Sequence, residues 1–112
     1  MELSTTRHAD MTIVHVPAPR IDAAAAIAFK DAMREAVGTE PDHVVLDLGQ
    51  VTFVDSSGLG AIVAVMKSMG DGRRLDLASL TPDVAKVFRL TRMDTVFLIH
   101  ADLDRAKPRA AG

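Results

Sequence analysis

The run His43-Val44-Val45-Leu46-Asp47-Leu48 constrains the fold more than any other stretch of this chain. It is short, nearly all apolar and rich in β-formers. A strand without alternation has to be covered on both faces or sit in the centre of a sheet. The segments around it must therefore supply neighbouring strands and covering helices.

They do so in alternation. Met11-Thr12-Ile13-Val14-His15-Val16 alternates and is β-branched, which predicts a strand. Pro17 and Pro19 end it, because neither can donate a ladder hydrogen bond. Asp22 stands as the N-cap of an alanine-rich helix. In that helix Ala26, Phe29, Met33 and Val37 mark the buried side, and Lys30, Asp31, Arg34 and Glu35 the wet one. Gly38 supplies the stop.

Beyond the apolar run, Gly49-Gln50 breaks the chain and Val51 to Val54 extends again. Leu59, Ile62, Val63 and Met66 predict the buried stripe of a second helix, and Gly70-Asp71-Gly72 a turn. Arg74 to Ala78 alternates charged with apolar residues, as a half-exposed strand does. Thr81-Pro82-Asp83 opens a third helix with an N-cap, a proline and a first-turn acid, and Val84, Val87 and Phe88 are its buried residues. Thr95 to Ile99 is expected as the last strand and Asp102 to Lys107 as a short final helix. Strand and helix in this order predict one α/β domain spanning residues 1–112, with a mostly parallel central sheet, interleaved helices and right-handed crossovers. Its core is expected over about residues 11–106, with 107–112 as a disordered tail.

Bulk properties narrow the function. A chain of 112 residues buries roughly 65% of its unfolded surface, enough for one core. There is no cysteine, which excludes disulfides and thiolate metal sites. Net charge is −2 with both signs mixed, and Trp and Tyr are absent, so neither an electrostatic nor a stacking surface for nucleic acid is expected. Residues 1–8 are polar and lack the basic flank and apolar run of a signal peptide, and no segment is long enough to insert in a membrane. The expected location is the cytoplasm.

The chemistry-bearing stretch is Val51-Thr52-Phe53-Val54-Asp55-Ser56-Ser57-Gly58-Leu59-Gly60. Here an extended run ends in an acid, two hydroxyls and two glycines, and a helix begins. In a parallel α/β domain that turn lies at the carboxyl edge of the sheet, where binding sites collect. Ser56 or Ser57 can cap the helix, and capping alone would explain one of them. Two hydroxyls, and the small face of Gly58, Gly60, Ala61 and Ala64, suit a protein contact, although a second packed face would look the same. Asp22 and Asp47 read first as a helix cap and as an acceptor for the next turn, and either can also orient the Ser57 hydroxyl. Catalysis has little support. Asp55 stands where Gly-x-Ser-x-Gly needs glycine, the phosphate-loop pattern is missing, and the four histidines are scattered without metal-ligand spacing. His15 and His43 read as partly buried structural residues.

Residues 44–60, Val-Val-Leu-Asp-Leu-Gly-Gln-Val-Thr-Phe-Val-Asp-Ser-Ser-Gly-Leu-Gly, resemble the signature of the STAS domain, specifically the bacterial anti-sigma factor antagonists. Arg20-Ile21-Asp22 and Leu90-Thr91 to Phe97 resemble the family more loosely. The resemblance implies that Ser57 is a phosphoacceptor and that Asp22, Asp55, Ser56, Gly58, Leu59 and Gly60 shape a partner contact. It implies that the unphosphorylated form binds an anti-sigma factor, itself a serine kinase using ATP, and that a metal-dependent serine phosphatase reverses the modification. No cofactor of the chain's own is implied, and a monomer or weak dimer is expected. Other members are accessory subunits of lipid-transport ATPases, which a partner surface without phosphorylation would fit, or scaffolds of stress-sensing assemblies, against which a short chain with no extra sensory domain argues. Two departures stand out: Pro17-Ala18-Pro19 stiffens a loop that usually has glycine at position 19, and Arg92 replaces another common glycine.

Overall fold

The computed structural model describes residues 1–39 and 42–107. Its strands are β1 (Ser4–His8), β2 (Met11–His15), β3 (Arg20–Ile21), β4 (His43–Asp47), β5 (Phe53–Val54), β6 (Arg74–Ala78) and β7 (Ile99–His100). Its helices are α1 (Ala26–Val37), α2 (Ser56–Ser68), α3 (Pro82–Leu90) and α4 (Leu103–Ala106). The apolar run is the middle strand of a five-stranded sheet ordered β1-β2-β4-β6-β7, and the β2–β4, β4–β6 and β6–β7 pairs are parallel.

Both faces of β4 are covered, which is why it shows no alternation. Val44 and Leu46 join the main core with Phe29 and Met33 of α1, Ile62 and Val65 of α2, and Val84 and Phe88 of α3. Val45 faces the other way, into a smaller cluster with Met11, Ile13, Ala78 and Ala106 that α4 closes. Burying each of these Val, Leu or Ile side chains contributes about 1.5–3 kcal/mol, and the central strand does so on both of its faces.

Several expectations need correction. The sheet has an edge strand that the polar start does not betray: β1 runs antiparallel to β2, entering through Ala9 at φ 53°. Every residue of β1 is exposed, so no hydrophobic pattern marks it. The first helix starts at Ala26, not just after Asp22; residues 23–25 form a turn, and Asp22 caps that turn instead. The buried side of α2 is Gly58, Ala61, Ile62 and Val65, while Leu59, Val63 and Met66 are only half-buried. The two faces differ by about 100° because a helix turns that far per residue. β6 is not half-exposed: Leu75 to Ala78 are all buried, Asp76 included.

The last strand is shorter than expected. Met93–Thr95 forms a 3₁₀ turn, and Phe97 turns inward to meet the Phe88 ring edge-on at 6.1 Å, leaving only Ile99–His100 to pair with β6. Arg92, in the glycine-like position, has φ 59°. Of the tail expected at 107–112, Lys107 follows α4 directly and residues 108–112 lie outside the described residues. Among the described residues no helix is long and apolar enough to cross a membrane.

Candidate functional site

The stretch from β5 into α2 meets the loop between β2 and α1. The meeting point is a two-stranded parallel ribbon, β3 with β5, in which Arg20 lies opposite Phe53 and Ile21 opposite Val54. Three donors hold this ribbon to the rigid Pro17-Ala18-Pro19 loop: the Pro19 carbonyl accepts from Thr52 N–H (2.8 Å), Phe53 N–H (3.2 Å) and the Thr52 hydroxyl (3.2 Å). On the far side the Thr81 hydroxyl, which does not cap its own helix, donates to the Val51 carbonyl at 2.7 Å.

Asp55 is the N-cap of α2. Its extended backbone (φ −95°, ψ −174°) lets Oδ1 accept from the Gly58 N–H at 2.8 Å. Oδ2 accepts from the Ala23 N–H at 3.0 Å, so one carboxylate ties the α2 start to the turn before α1. The two loops close further at Gly58, where the helix rests on the Ile21 carbonyl with no room for a side chain.

Asp55 thus does the capping that Ser56 or Ser57 was expected to do. Ser56 and Ser57 occupy the first two positions of α2, both exposed, and neither hydroxyl makes a hydrogen bond to the described residues. Gly60 is exposed with open space around it. Gly58 is buried against the Ile21 backbone, and Leu59 is half-buried against the core. Of the set the sequence singled out, Ser56, Ser57 and Gly60 are exposed, Asp22, Asp55 and Leu59 are half-buried, and Gly58 is buried.

Asp22 accepts from the Ala25 N–H through Oδ1 (3.1 Å) and from Arg20 Nε through Oδ2 (3.2 Å). The hydrogen bond from Arg20, reinforced by the backbone N–H groups and opposed by partial desolvation, holds its carboxyl below the usual carboxylate range. Asp47 points elsewhere: Oδ1 accepts from the Gly49 N–H at 2.9 Å, and Oδ2 lies 2.8 Å from His15 Nδ1. Neither aspartate orients Ser57.

Sequence reasoning passed over Arg20 and Phe53 as site residues. The Arg20 guanidinium lies 4.1 Å above the exposed Phe53 ring. Both had signals: Arg20 is the only Lys or Arg within 17–29 or 49–66, and Phe53 is the large residue of a strand next to the serines. It also passed over a polar cluster away from this edge. The buried Asp76 has Oδ2 2.9 Å from both His43 Nε2 and His100 Nε2, and Arg74 Nε 3.1 Å from Oδ1. The Arg74 contact is an ion pair without hydrogen-bond alignment. Among the described residues no group of His, Cys, Asp and Glu is arranged to hold a metal ion.

The site is thus a pair of exposed, unbonded hydroxyls on a braced helix start at one edge of a small α/β module. The chain belongs to the STAS domain family, whose model matches residues 2–106. A STAS-domain containing protein of Pseudomonas aeruginosa (strain UCBPP-PA14) is 32% identical over 81 residues, which are 71% of this chain and 79% of that protein. An anti-sigma factor antagonist from Mycobacterium paratuberculosis has a similar structure at 27% identity, with a TM-score of 0.83 over 94% of this chain and 89% of that one. The Bacillus cell fate determinant SpoIIAA in its phosphorylated form shares the fold at 17% identity, with a TM-score of 0.67 over 94% of this chain and 96% of that one.

Proposed function

We propose that this chain is an anti-sigma factor antagonist controlled by phosphorylation of Ser57. In this reading the unmodified protein binds an anti-sigma factor kinase through Asp22, Asp55, Ser56, Ser57, Leu59 and Gly60, with the buried Gly58 shaping the helix start beneath them, and so frees a sigma factor. The kinase, using ATP, phosphorylates Ser57 and ends the interaction; a metal-dependent serine phosphatase restores it. The chain itself uses no cofactor. One observation carries the proposal: Asp55 supplies the cap, so the exposed Ser57 hydroxyl is left with no structural task.

The physical effect of a phosphate follows from its surroundings. It adds about −1.5 to −2 charge and three strong acceptors. In the free protein a helix start tolerates that charge, because local N–H groups and the helix dipole favour anions. In a complex the same group would be desolvated near Asp55 and Asp22, which is costly. A differential of about 3 kcal/mol weakens binding roughly a hundredfold, enough for a switch without unfolding.

The test has two parts. Intact-mass analysis and site mapping of the protein isolated from its own cells, with and without phosphatase, should show one removable phosphate at Ser57. Ser57→Ala should bind the kinase constitutively, and Ser57→Asp should bind at least about tenfold more weakly. Equal binding by the parent and Ser57→Asp would remove the charge switch. Absence of phosphate under all growth conditions would turn the reading to an accessory subunit that is never modified.

A further inference from the structure

Arg20 is placed to respond to a charge at Ser57. It is the only Lys or Arg in the two segments that build the site, residues 17–29 and 49–66. Its present anchorage is light. A single Nε contact of 3.2 Å reaches Asp22, the guanidinium rests 4.1 Å over Phe53, and more than half of the side chain is exposed. Its neighbour Ile21 touches the backbone of Gly58, the residue after Ser57. With consecutive Cα atoms 3.8 Å apart, the Arg20 and Ser57 Cα atoms are at most about 13 Å apart. An arginine and a phosphoserine extended toward each other span that gap.

Resting on the reading above, we infer that Arg20 is the internal counter-ion of phosphorylated Ser57, and that it leaves Asp22 and the Phe53 ring to reach the phosphate. The exchange is favoured by the ligands on offer. Asp22 presents one carboxylate oxygen to one N–H, whereas a phosphate dianion presents three oxygens and accepts a paired, charge-assisted contact. The other carboxylate nearby, Asp55, already accepts one N–H at each oxygen, from Gly58 and Ala23. Phosphorylation then alters the surface twice. It adds a dianion at Ser57, and it leaves Asp22 without its cation and Phe53 without its cover.

The experiment uses the full chain with phosphoserine installed at position 57 during synthesis, so no kinase is needed. Phosphorus NMR titrations at low ionic strength compare the parent, Arg20→Lys and Arg20→Gln. A nearby cation favours the dianion, so the parent should ionise at lower pH than Arg20→Gln, with about a threefold difference in proton affinity, and Arg20→Lys should fall between. The Arg20 Nε–H resonance should also lose the Phe53 ring-current shift on phosphorylation. Identical titration of the parent and Arg20→Gln would overturn the inference, as would an unmoved Nε–H resonance. The two readings separate cleanly: coupling in a chain never phosphorylated in its own cells upholds the contact and sinks the proposed function. A phosphorylated chain without coupling sinks the contact alone.

Discussion

Gly58 and Gly60 lie two residues apart in one helix, yet replacing each by alanine should move stability in opposite directions. A Cβ at Gly58 would stand 1.8 Å from the Ile21 carbonyl oxygen and 2.8 Å from its carbon. An ordinary C···O contact is about 3.3 Å, so something must yield by about 1.5 Å. The obstacle is backbone, and it is held by the Pro19 carbonyl's three donors and by the Asp55–Ala23 bond. Overpacking of this kind costs about 1–3 kcal/mol, and the rigid neighbour puts Gly58→Ala at the upper end. The helix preference of alanine returns about 1 kcal/mol, leaving a net loss of about 2 kcal/mol. A Cβ at Gly60 meets nothing within 4 Å, so Gly60→Ala keeps the whole gain of about 1 kcal/mol. Urea unfolding followed by far-UV circular dichroism measures both, since the chain has no Trp or Tyr for fluorescence. The melting temperature should fall by about 8 °C in one variant and rise by about 4 °C in the other. A Gly58→Ala protein as stable as the parent would refute the close approach of α2 to β3.

Asp55→Ala removes the cap of α2 and its bond to the neighbouring turn. It should cost about 1–2 kcal/mol in urea unfolding, with hydrogen exchange rising together at Gly58 and Ala23. Arg92→Gly relieves a left-handed backbone at φ 59° and should stabilise by about 0.5–1 kcal/mol in the same assay. The depressed Asp22 carboxyl stabilises the fold only while ionised. The advantage of the parent over Asp22→Asn should therefore be constant above the ordinary carboxylate range and shrink as pH falls below about 4, in unfolding curves taken across that interval.

The parts of the fold with a strong pattern were legible in the sequence. The unalternating run from His43 to Leu48 announced a central strand, and Phe29, Met33 and Val37 announced the face of α1. β1 was not legible, because a strand exposed on both sides carries no periodicity. Asp76 misled for a related reason. A charged residue among apolar neighbours reads as half-exposed, but His43, His100 and Arg74 supply polar cover from three strands. At the candidate site the serines were visible and their arrangement was not. Ser, Thr and Asp all cap helices, so only coordinates show that Asp55 takes the cap and leaves Ser57 unbonded. The Arg20–Phe53 contact joins residues far apart in the chain through a two-residue ribbon, too short to leave a pattern.

The proline loop has a consequence for how fast and how tightly any partner can engage. Its two rings and the triply bonded Pro19 carbonyl fix the ribbon and, through Gly58, the start of α2 before contact is made. A surface held in one shape before contact gives up little conformational entropy on association, and each side chain that needs no ordering saves about 0.5–1.5 kcal/mol. Encounter is then limited by orientation rather than by rearrangement, and differences in affinity appear mainly in how long the complex lasts. Under the proposed function, a phosphate at Ser57 is then expected to act mainly by shortening the lifetime of the complex.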